Sequence, residues 1–74
     1  MNLLMAPKDV ELKIIKIRPI KDLGQKKQLS NLGFVVDAKI KIVAESQGNL
    51  IVMVKGSRIA LGEQLASKIQ VIHL

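Results

Sequence analysis

Acid–base catalysis, metal binding and anion docking are the chemistries to look for among the ionisable and sulfur-bearing residues. The one histidine, His73, sits next to the C-terminus, and there is no cysteine. No second imidazole or thiolate completes a metal set of the usual nitrogen and sulfur ligands around it. The six carboxylates are Asp9, Glu11, Asp22, Asp37, Glu45 and Glu63. They fall at turns, caps and strand ends, and no pair has the spacing of a general acid and base. Asp9 and Glu11, two apart at a strand start, could share one face and offer at most a weak divalent site. Met1, Met5 and Met53 are soft donors in principle, but scattered methionines read first as core filler. No glycine-rich stretch has a nucleotide-binding pattern. The inventory points to a binding protein rather than an enzyme, with no catalytic residue, no metal ligand set and no cofactor.

The positive charges remain. Twelve Lys and Arg against six Asp and Glu give a formal net charge of +6. Nine of the twelve lie in residues 1–41. Such a balance suits an acidic polymer, an anionic surface or an acidic face on a protein. A simpler reading is that Lys13, Lys16, Lys39 and Lys41 solvate the outer faces of strands and blunt their edges. A basic nucleic-acid-binding barrel is the alternative functional class. Single-strand binders add aromatic stacking platforms to a basic groove, and this chain has one phenylalanine, no tyrosine and no tryptophan. Electrostatic contact through Lys21, Lys26 and Lys27 is what that alternative leaves.

These residues must be held by a small fold. A chain this short has room for one modest core, and without cysteine no disulfide reinforces it. The absence of cysteine leans toward the cytosol. The apolar start, residues 1–6, lacks a basic region and is broken by Pro7, so it does not read as a signal peptide. No run reaches the roughly 20 apolar residues of a membrane span. The expectation is a soluble cytoplasmic chain, complete from Met1, forming a single domain over residues 1–74.

Residues 22–34 are a short helix specified at both ends. Asp22 is the N-cap, and Gln25 is placed to complete a capping box. Gly33 supplies the left-handed residue at the exit, with Leu29 and Phe34 as the apolar pair of a Schellman motif. Leu29 and Leu32 are expected to face the core. Around this helix, residues 11–18, 38–45, 50–55, 58–61 and 69–74 read as strands. The Ile14-Ile15 pair breaks the alternation of the first and suggests either a bulge or a strand covered on both faces. Residues 50–55 are apolar on both faces, as in a covered strand or one that meets a second copy of the chain. Gly56-Ser57 is expected to form a type II′ hairpin turn. Residues 62–68 make about one helical turn, with Leu65 and Ala66 inward. Leu3, Leu4 and Met5 are expected to cover one end of the core, ahead of a turn at residues 7–9. The predicted class is mainly β: a small, partly open barrel of about five strands, with one short helix between the first and second.

Three landmarks occur in order: Leu29-Ser30-Asn31-Leu32-Gly33-Phe34, then Val54-Lys55-Gly56-Ser57-Arg58-Ile59-Ala60-Leu61, then Ala66-Ser67-Lys68-Ile69-Gln70-Val71. By these the chain resembles the FeoA family, small SH3-like barrels of bacterial ferrous iron transport, over about residues 7–72. Leu29, Leu32, Gly33, Gly56, Ser57, Ile59, Ala60 and Leu61 are the motif residues. Of these, Leu29, Leu32, Ile59 and Leu61 read as core. Asp9 and Asp37 stand where the family usually has glycine, and aspartate tolerates left-handed turns better than most residues. The resemblance implies a non-enzymatic cytoplasmic accessory protein. Its expected partner is FeoB, a membrane permease with a cytoplasmic GTPase domain. The expected contact surface is Lys26, Lys27, Asn31 and Phe34 at the helix, with Arg58 from the hairpin.

Overall fold

A computed structural model describes all residues, 1–74. Five antiparallel strands form one curled sheet in the order β4-β3-β2-β1-β5. They are β1 (Leu12–Ile17), β2 (Lys39–Ser46), β3 (Asn49–Val54), β4 (Ser57–Gly62) and β5 (Ile69–His73). Helix α1 (Leu23–Asn31) links β1 to β2, and a single turn, α2 (Glu63–Ala66), links β4 to β5. β4 and β5 are the two edges and do not pair with each other. This is the partly open barrel with one inserted helix that the strand count and the position of the helix imply.

Alternation builds the core. Leu12 and Ile14 of β1, Ile40 and Ile42 of β2, Leu50, Val52 and Val54 of β3, and Ile69 and Val71 of β5 are all buried. Their neighbours along each strand face outward, as period-2 pleating requires. The expected break in β1 is a bulge: the register against β5 shifts between Ile14 and Lys16. The extra residue, Ile15, is left exposed. β2 has a second shift between Ile42 and Ala44. Two bulges bend the sheet toward closure.

Both hairpins turn on two residues. Gln47 (φ 50°) and Gly48 (φ 80°) join β2 to β3; Lys55 (φ 49°) and Gly56 (φ 76°) join β3 to β4. Positive φ at both central positions is the type I′ geometry, whose twist matches that of the flanking strands. The second turn therefore lies one residue earlier than the Gly56-Ser57 type II′ turn expected from sequence. Val54 pairs with Ser57 and Met53 with Arg58. The expected turn would instead set Lys55 directly opposite Arg58, an unfavourable like-charge pair.

At the N-terminus, Leu3 is fully buried, but Leu4 and Met5 are exposed. The expected three-residue cover is thus Leu3 alone. Side chains on the 3-10 turn Leu3–Met5 stand about 120° apart, so only Leu3 faces the core. Asn2 bridges to Gln70, and the Val71 N–H donates to the Met1 carbonyl at 2.8 Å. The chain start thereby lies along the outer side of β5. In α2, Ala66 is buried and Leu65 packs against the core, as expected.

Asp9 and Asp37 adopt φ of 63° and 75°. Both lie where the chain docks on a strand: the Asp9 N–H donates to Ile42 (2.8 Å) and the Asp37 N–H to Ile14 (2.7 Å). Aspartate therefore takes the left-handed conformation at both turns.

Candidate docking site

Helix α1 is where most of the expected contact residues lie, and its ends are built as the sequence indicates. The Asp22 carboxylate accepts the Gln25 N–H at 3.1 Å. The Gln25 side chain returns no hydrogen bond, so the capping box is half formed. At the exit, the Phe34 N–H donates to the Leu29 carbonyl and the Gly33 N–H to that of Ser30, both at 3.0 Å. These are the two bonds of a Schellman motif. Gly33 has φ 105°. A Cβ there would stand 2.9 Å from Cδ of Lys55. The helix exit thus abuts the β3–β4 turn.

Two expectations fail here. Leu32 is exposed. It is the C-cap, where the chain is already leaving the helix, and Phe34 fills the inward space in its place. Phe34 is 2% exposed, so it belongs to the core and not to the contact surface. Leu29 is the only buried residue of α1. Nine residues make a helix too short to persist alone, so α1 rests on its caps and one apolar anchor.

The remaining expected contact residues do not converge on one spot. Lys26, Lys27 and Asn31 are exposed on α1, while Arg58 is exposed on β4. Register places Arg58 beside Met53 and Met53 beside Lys41. Lys39 is beside Lys13. Lysines that read singly as strand solvation therefore line up across the outer face of the sheet. Lys39, Lys41, Met53 and Lys55, with Glu11 at one side, border a shallow depression there. The row is not legible in the sequence, because alternation assigns a face but not a cross-strand neighbour. Of the motif residues, Gly56, Ser57 and Ala60 are exposed, Ile59 is half-buried and Leu61 is buried.

A deeper groove runs between α1 and the exit of β1. It encloses about 390 Å³ and is lined by Ile17, Ile20, Leu29 and Phe34 at its base, with Val35 and Val36 beside them. Arg18 and Lys26 also line it. Val35 and Val36 carried no expected role, although a β-branched pair directly after a helix exit is a visible signal.

Ion pairing hardly offsets the charge. The one salt bridge joins Lys13 to Asp37 at 3.3 Å, at the surface. No buried side-chain polar atom lacks a partner. No three histidine, cysteine, aspartate or glutamate side chains stand together as a metal set. His73 is exposed, with Nδ1 3.2 Å from the Leu74 carbonyl. No helix is long and apolar enough to cross a membrane.

The fold and its surfaces define a small SH3-like open barrel with a lightly anchored helix and basic faces suited to docking. The FeoA domain profile matches residues 1–73, and the chain belongs to the FeoA family. A Methanocaldococcus jannaschii protein named as an Fe(2+) transport protein A is 38% identical over 48 residues. That match covers 65% of this chain and 58% of the relative, so the chain spans little more than half of that protein's length. A crystal structure of an iron uptake regulatory protein, FeoA, superposes with TM-score 0.80 at 26% identity, covering 100% of this chain and 96% of its own. Stenotrophomonas maltophilia FeoA, solved with zinc and described as a prokaryotic SH3 domain protein, superposes with TM-score 0.82. At 24% identity, with 97% of this chain and 89% of that one covered, that likeness speaks for the fold.

Proposed function

We propose that this chain, as one domain over residues 1–74, is a cytoplasmic accessory module of bacterial ferrous iron transport that docks on the cytoplasmic part of a FeoB-type GTPase-permease. The observation that carries the proposal is the FeoA family match along nearly the whole chain. The name of the M. jannaschii relative, which refers to Fe(2+) transport, points the same way. Charge supports docking. With a net +6 and one salt bridge, most of the cations are free to meet an acidic partner. Lys26, Lys27 and Asn31 on α1 and Arg58 on β4 are the proposed contacts. Complementary charge of this kind speeds encounter and fixes orientation more than it adds affinity.

The test is a calorimetric titration of this chain with the cytoplasmic part of FeoB at two salt concentrations. Binding in the tens of micromolar or tighter is expected, weakening as salt rises. Lys26→Glu with Lys27→Glu should weaken it at least about tenfold without changing the circular dichroism spectrum. No binding at tens of micromolar, with both proteins folded, would overturn the proposal. The row of Lys41, Met53 and Arg58 across the sheet is the one feature that favours the alternative, a basic nucleic-acid-binding barrel. That reading requires an oligonucleotide affinity falling steeply with salt, because phosphate contacts release counterions. A negligible signal at low salt disposes of it.

A further inference from the structure

The groove between α1 and the exit of β1 has a one-sided chemistry. Its base is apolar, from Ile20 and Leu29, and its upper side carries Val35 and Val36. Val36 is 54% and Val35 38% exposed. Both are β-branched and stiff about χ1, so covering them costs little side-chain entropy. The only two charged residues lining the groove are cations, Arg18 and Lys26. Neither takes part in the molecule's one salt bridge.

An apolar floor with a wholly cationic edge is complementary to a particular kind of segment. We propose that this groove receives a short acidic peptide segment of a protein partner. Leucine-like side chains would enter between Ile20, Leu29 and Val36, and carboxylates would meet Arg18 and Lys26. Arg18 can pair a carboxylate bidentately, whereas Lys26 acts as a point charge. A basic or purely polar segment would leave either two like charges opposed or the valines uncovered. The inference deepens the reading of the chain as a FeoB-docking module, since it names a site and a chemistry for that contact. It moves the contact from the outer face of α1 to the side that faces the barrel.

The experiment uses the full chain, ¹⁵N-labelled, and a capped peptide of about ten residues made only of leucine and glutamate. The same peptide with lysine for glutamate is the control. The expected result is saturable shifts at Arg18, Ile20, Lys26, Val35 and Val36 with the acidic peptide. They should vanish with the basic one. Arg18→Glu with Lys26→Glu should abolish them, and Val36→Asp, at an exposed site that should leave the fold intact, should weaken binding at least fivefold. Equal response to both peptides overturns the inference, as do shifts centred on Lys39 and Lys41 instead, or no shift at millimolar peptide. Titrating FeoB with the Val36→Asp chain separates the two proposals. Undiminished binding removes the groove and leaves the docking function standing. If the wild-type chain does not bind FeoB, the function falls and the peptide result still decides the groove.

Discussion

Replacing Gly33 with alanine tests whether the exit of α1 is held by backbone conformation. Gly33 has φ 105°, well beyond the left-handed helical centre near 57°. A Cβ in that region costs about 1–2 kcal/mol, and the position of Gly33 favours the upper end. Alanine recovers roughly 0.4–1 kcal/mol by restricting the unfolded chain. The new Cβ would also meet Lys55 at 2.9 Å on Cδ and 3.1 Å on Cγ. Those atoms belong to a flexible side chain at the surface and can move aside at little cost. The net expectation is a loss of about 1 kcal/mol. For a domain of this size that lowers Tm by about 4–8 °C. The assay is thermal and urea unfolding followed by circular dichroism, with the m-value unchanged. Gly33→Asn should lose less than alanine, because asparagine tolerates the left-handed region. Lys55→Ala in the alanine background should restore less than about 0.5 kcal/mol. If Lys55→Ala restores the whole loss, the effect is steric and the conformational reasoning is wrong. Asparagine costing as much as alanine would refute it equally.

Four further outcomes are expected. Leu29→Ala should cost about 2–5 kcal/mol, whereas Leu32→Ala, at an exposed C-cap, should stay within about 0.5 kcal/mol; parallel urea melts distinguish them. Asp22→Ala removes the cap on the Gln25 N–H and should cost about 1 kcal/mol, with faster hydrogen exchange confined to the start of α1. Gln47→Asn puts the preferred Asn-Gly pair in the β2–β3 turn and should raise stability by about 0.5–1 kcal/mol, read as a higher Tm. A double-mutant cycle on Lys13 and Asp37 should give a coupling of no more than about 0.5 kcal/mol, because the pair is exposed.

Much of this fold was legible because each element carried its own local signal. Alternation in residues 38–45 fixes which side of β2 is buried. Asp22 and Gly33 mark the helix ends through hydrogen-bonding needs that no tertiary contact has to supply. The β3–β4 turn lies one residue earlier than the sequence implies for a definite reason. Moving the turn from Lys55-Gly56 to Gly56-Ser57 shifts the pairing yet keeps Val52, Val54, Ile59 and Leu61 on the same face. The hydrophobic pattern is blind to that shift, and only the opposition of Lys55 and Arg58 argues against it. Leu32 escapes the helical spacing because it lies past Asn31, the last helical residue. The contact surface was the least legible part. Phe34 looked available as the only aromatic residue beside a helix exit, but its Schellman partner Leu29 draws it into the core. The groove depends on Arg18, from the end of β1, lying near Lys26, and nothing in the local sequence brings those two together.

The construction of α1 bears on function more than its motif does. The barrel's core comes from all five strands, Leu3, Ile20, Phe34 and Ala66, whereas α1 contributes Leu29 alone. Elements with few buried apolar contacts open at lower free energy than the core around them. Helix α1 can therefore shift or fray while β1 to β5 stay paired. That separation suits one wall of a docking groove. The Asp37 N–H bond to Ile14 ties the segment after Val36 to β1, and the wall bearing Lys26 can adjust to an incoming chain. The outward turn of Leu32, which the helical period does not foresee, leaves α1 with Leu29 as its one anchor and free to adjust at the groove's edge.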